Sequence, residues 1–170
     1  NRIGFNTKMQ LSEDSDFTLH YLMHCSRISI SDTIFYHYSI DNESTMRSNA
    51  DKKVLQYIEA MNITSKYIKK QHENVQLAFN DYILMHLNIA CVRGIFCVNN
   101  KENYVKKIEH IKKIINTPVF KDAIKKFHIK NNFSARTLPV FFMKYKLVHI
   151  ASIIYIVRAY QNYIYEKSRN

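Results

Sequence analysis

Residues 12–25 read Ser-Glu-Asp-Ser-Asp-Phe-Thr-Leu-His-Tyr-Leu-Met-His-Cys. Ser12 stands ahead of Glu13, Asp14 and Asp16, which is a helix-start pattern: a serine N-cap, then acids that complement the free N–H groups and the positive end of the helix dipole. Phe17, Leu19, Tyr21, Leu22 and Cys25 follow near one side, so this segment is expected to be an amphipathic helix. Beyond it, residues 27–31 and 33–40 alternate apolar and polar side chains around Asp32, a period-two pattern that predicts two short strands forming a small β hairpin. The polar run 41–50 reads as a loop.

From Asp51 the period becomes helical. Val54, Leu55, Ile58, Met61, Ser65 and Ile68 are expected to make one buried face, with most lysines on the others. Residues 75–98 are apolar nearly all round and should form a central helix. Tyr104, Val105, Ile108, Ile111 and Ile115 make a further stripe, with Lys106, Lys107, Lys112 and Lys113 outside it. Pro118 suits the first position of a helix through Phe127, and Pro139 is expected to open a last long helix to about Glu166.

Only two glycines, Gly4 and Gly94, occur in the 170 residues, which excludes a Gly-rich dinucleotide fingerprint or a P-loop. Cys25, Cys91 and Cys97 are odd in number and form no CxxC pair, so a disulfide scaffold is not expected. Charge divides unevenly: residues 1–51 carry net −3 and residues 52–170 net +14. The two portions are therefore expected to face different partners. The longest apolar stretch without a formal charge, Leu147 to Val157, has 11 residues and falls short of the roughly 20 that cross a bilayer. No signal peptide opens the chain, which begins without methionine and reads as a piece of something longer.

Taken together, Ile3-Gly4-Phe5, Leu11-Ser12-Glu13-Asp14, Phe17, Leu19, Tyr21-Leu22, Ile28-Ser29-Ile30, Phe35-Tyr36-His37-Tyr38 and Asn42-Glu43-Ser44 resemble the second half of the catalytic domain of family 2 glycosyltransferases. The resemblance covers about residues 1–48. It implies the C-terminal portion of a GT-A (α/β) catalytic domain over 1–50, followed by a helical C-terminal domain over 51–170. It also implies transfer of a sugar, with inversion, from a nucleotide-sugar donor to a hydroxyl acceptor, in bacterial surface polysaccharide or glycolipid synthesis.

In such enzymes the Asp of the ED motif is the general base, which maps onto Asp14, with Glu13 as the supporting acid. Tyr36 and Tyr38 become substrate-binding candidates. Relatives often carry an Arg directly after the Tyr-rich strand; Ser39 stands there in this chain, and Arg47 is the substitute candidate for a phosphate contact. Some GT-A enzymes supply a late His to the donor's Mg or Mn, which makes His37 the metal candidate. The DxD motif that holds this metal lies upstream of the ED motif in the family, and no DxD occurs in these residues. The chain alone is thus expected to be inactive and to hold no metal itself.

Other patterns carry less. Asp16, His20 and His24 share a helix face at a spacing that can present metal ligands, but a zinc site calls for a second segment. Residues 101–170 hold 15 basic and 4 acidic residues, interleaved with tyrosines after Arg136. The alternative reading is a noncatalytic basic helical module that binds an anionic membrane surface or nucleic acid. No nucleic-acid motif supports the latter, so a peripheral contact at the inner, cytoplasmic face of a membrane is the partner expected besides donor and acceptor.

Overall fold

The fold was analysed in a computed structural model, which describes residues 3–36, 50–129 and 134–168. Seven α-helices account for most of it: α1 Glu13–Leu22, α2 Ala50–Ile68, α3 Glu73–Ile89, α4 Tyr104–Ile115, α5 Pro118–Lys126, α6 Leu138–Lys144 and α7 Val148–Lys167. The mostly helical expectation holds. No strand occurs among the described residues, so the β hairpin and the α/β sheet of a GT-A domain find no support there. Residues 27–36 are irregular and run over the surface, with Ile30, Ile34, Phe35 and Tyr36 exposed. Among the described residues nothing covers one face of this alternation, and a period-two pattern becomes a strand only against a paired, half-buried surface. The second expected strand continues through residues 37–40, outside the described residues.

The bundle is organised around α3, which runs without a break into a π-helical turn, Ala90–Ile95, in agreement with a central apolar segment. The turn is marked by the Phe96 N–H donating to the Cys91 carbonyl five residues back, at 2.8 Å. It ends where the Asn100 side-chain amide donates to the Ile95 carbonyl at 2.8 Å, satisfying one of the carbonyls a helix end leaves free. Around this axis pack α2, α5 and α7, with α4 bridging α2, α5 and α7.

The buried face of α2 is centred on Val54, Tyr57, Met61, Thr64 and Ile68, spaced alternately by three and four residues, and Ala60 and Lys53 are buried beside it, Lys53 against the expectation that the lysines lie outside. That face is rotated from the expected one: Leu55 is exposed, while Tyr57 and Thr64 turn inward. Helix α4 buries Ile108, Ile111 and Ile114, leaving the four lysines outside that stripe, and its Asn103 cap accepts the Lys106 N–H at 3.0 Å. Pro118 opens α5 as expected.

The expected long final helix is two. Between α6 and α7 the chain turns at Lys146, whose φ of 63° lies in the left-handed region. The Lys146 N–H donates to the Met143 carbonyl at 2.9 Å and the Leu147 N–H to the Phe142 carbonyl at 2.8 Å, the paired bonds of a Schellman termination. The turn folds α6 back on α7.

Candidate functional site

Helix α1 starts at Glu13, with Ser12 in the left-handed region at φ 63° and making no side-chain cap bond. The acids that follow do separate jobs. Asp14 is exposed, and its Oδ1 accepts the Ser15 N–H at 2.7 Å. Asp16, two positions on, is buried; its Oδ1 accepts the Thr64 hydroxyl at 2.9 Å and the Tyr67 hydroxyl in a short hydrogen bond. Thr64 and Tyr67 sit one turn apart on α2, so a single carboxylate fastens α1 to that helix. His20, one turn along from Asp16, lays its ring edge-on to Tyr67 with centroids 3.9 Å apart.

With α1 held this way, its outer side and α3 enclose an open groove of about 320 Å³. Asp14, Ser15, Thr18, Leu19 and Leu22 of α1 line it together with Tyr82 of α3. Tyr82 is held by its neighbours, stacked on Phe79 and tilted against His86 at 4.2 Å between centroids. Burial, together with the nearby charges of Asp14 and Asp16, raises its phenol above the ordinary tyrosine value, opposed by a hydrogen bond to Ser15. His86 donates from Nδ1 to the Tyr82 carbonyl at 3.1 Å, which leaves Nε2 as the basic nitrogen of the neutral ring. Burial lowers the His86 pKa, partly opposed by that bond and by the charge of Asp14.

The arrangement offers an exposed carboxylate at the positive end of a helix, beside a mostly apolar groove with one aromatic wall. Chemically it can accept a proton from a hydroxyl lying in the groove, and it can hold a ring against Tyr82. Of the residues expected in a site, Asp14 lies on this groove. Glu13 is partly buried next to it and does not line it. Tyr36 is exposed in the irregular segment, and His37, Tyr38 and Arg47 lie outside the described residues.

Asp16, His20 and His24 do not converge as ligands. Asp16 is occupied by α2, and His24 Nδ1 donates to the His20 carbonyl at 2.8 Å. Among the described residues no three His, Cys, Asp or Glu side chains come together to hold an ion such as Mg or Mn. Tyr82, Thr64 and Tyr67 escape a reading of the sequence because each meets α1 from 48 or more residues away; the i, i+3 spacing of Thr64 and Tyr67 on α2 is the one local sign that they share a side.

No family model, curated protein or solved structure matches this chain.

Proposed function

We propose that this chain is the C-terminal part of an inverting glycosyltransferase, with Asp14 as the general base. The observation that carries the reading is the division of labour between neighbouring acids: Asp16 is consumed in fastening α1, whereas Asp14 is left exposed on a groove. In the proposed step the Asp14 carboxylate accepts the proton of an acceptor hydroxyl while that oxygen bonds to the anomeric carbon of the donor. The bond from that carbon to the nucleoside diphosphate breaks on the opposite face, and configuration inverts.

Stabilising the diphosphate belongs to a donor-binding half with its own acidic motif and Mg or Mn, for which these 170 residues carry no DxD. These residues alone are thus expected to show no turnover of a nucleotide sugar. The expected setting is the cytoplasmic side of a bacterial membrane, in synthesis of a surface polysaccharide or glycolipid.

The test is a pair of variants in the polypeptide that includes the donor-binding half. Asp14→Asn removes the proton acceptor and keeps the shape, so turnover should fall by about 100-fold or more, the usual range for a general base. Its thermal midpoint should stay near that of the parent. Glu13→Gln should cost less activity. Parental turnover in Asp14→Asn would sink the assignment.

A further inference from the structure

Helix α7 is apolar on two opposite sides. One side, Val148, Ala151, Ser152, Tyr155 and Ala159, is buried in the bundle. On the other, Ile150, Ile153, Val157, Tyr160 and Ile164 are between 42 and 60% exposed. Ile156 is exposed on one flank of this stripe and Tyr165 on the other. At 100° per residue the outer sector reaches from Ile156 round to Tyr165, about half the circumference of the helix, and it also takes in His149, Gln161 and, in the last turn, Lys167. An ordinary surface helix presents charged or polar residues there. From Tyr160 onward every described residue of the helix is exposed.

From this surface we infer that α7 lies flat on an anionic lipid bilayer, with its outer face among the acyl chains and headgroups. Three observations favour a bilayer over a protein partner. The apolar sector is broader than the narrow seam one partner helix would cover, and its flanks carry only cations, Lys167 on one side and the half-buried Arg158 on the other. The surroundings are cationic: residues 101–170 hold 15 Lys and Arg against 4 Asp and Glu, and α4, packed on α7, exposes Lys106, Lys112 and Lys113. A second copy of a chain with net charge +11 would meet that charge with its own, whereas anionic headgroups complement it. Exposed tyrosines at both ends, Tyr145 before the helix and Tyr163 and Tyr165 near its close, have the amphipathic build that suits the headgroup level. No helix among the described residues is long and apolar enough to cross a membrane, so the contact is one of lying on the surface. The inference is independent of the glycosyltransferase reading.

Flotation of the 170-residue chain with vesicles tests it. The chain should float with vesicles of phosphatidylglycerol and phosphatidylcholine in equal parts, and at least tenfold less with phosphatidylcholine alone or in high salt. Ile153→Asp combined with Val157→Asp should abolish flotation, and because both side chains already face outward, circular dichroism should show the parental fold and thermal midpoint. Lys106→Gln with Lys112→Gln and Lys113→Gln should weaken binding to the anionic vesicles by several-fold. Three results would overturn the inference: no flotation with anionic vesicles, flotation that the double aspartate variant retains, or a parental dimer that this variant turns into a monomer while neither form floats.

Discussion

Asp14 and Asp16 differ by two positions and by everything that matters to their chemistry. Two residues along a helix is 200°, so one carboxylate faces the groove while the other faces α2. Removing Asp16 leaves the buried Thr64 hydroxyl without its acceptor and takes one from Tyr67, and losing buried hydrogen bonds to a charged group costs about 2–3 kcal/mol. Asp16→Ala is therefore expected to lower the thermal midpoint by about 4–12 °C, at the 2–4 °C per kcal/mol typical of a chain this size. Tyr67→Phe should cost less, because Thr64 still satisfies the carboxylate. Differential scanning fluorimetry on both variants and on Asp14→Asn checks the division: Asp16→Ala should melt earliest and Asp14→Asn near the parent. The acidic cluster was legible in the sequence; which acid is structural was not, since the deciding hydroxyls arrive from 48 and 51 residues away.

Among the elements, α6 and α7 show how a helix can end without a stop signal. Pro139 marks the start of α6 as its sequence indicates, but the left-handed position that ends it is held by Lys146, where glycine or asparagine would have announced a break. An L-residue in that region carries a penalty of roughly 1–2 kcal/mol relative to its ordinary conformation, which glycine avoids. Lys146→Gly is expected to raise stability by up to about 1 kcal/mol, part of the gain being offset by the greater freedom glycine has in the unfolded chain. A urea melt with an unchanged slope and a higher midpoint is the expected result; a lower midpoint would mean that the exposed Lys146 side chain contributes more than its backbone costs. In α2 the period was correctly helical, yet the face was off by part of a turn. Leu55 is the stronger hydrophobe, but the packing against the π-helical turn, α3 and α4 takes Tyr57 inside, and Thr64 turns in to donate to Asp16 of α1.

For the whole molecule, stability should depend on pH through His86, which is buried among Tyr57, Tyr82 and the nearby charge of Asp14. Its folded pKa lies below the ordinary 6.5, so in mildly acidic solution the unfolded chain binds a proton that the folded chain does not. The stabilisation from keeping this ring neutral is complete above about pH 6.5 and is lost as the pH falls below it, toward the folded value. Denaturant midpoints measured between about pH 7 and pH 5.5 should fall with pH, and His86→Gln should flatten that dependence whatever it does to the midpoint at pH 7. An unchanged slope in His86→Gln would assign the acid sensitivity to another group.

What the sequence determined by itself is what depends on near neighbours along the chain. The 3.6-residue periods, the proline starts at Pro118 and Pro139, the acid-rich opening of α1, the exclusion of glycine-rich nucleotide loops and the basic outer face of α4 all follow from residues within a turn or two of one another. The tertiary structure alone decided matters that turn on distant contacts. It left residues 27–36 without a strand, because alternation needs a second surface to bury against; it broke the last helix at Lys146, because packing α7 back on α6 outweighs a local preference; and it brought Tyr82 of α3 to the groove that Asp14 lines. Burial and long-range hydrogen bonding act between residues dozens of positions apart, and no local pattern encodes which of them will meet.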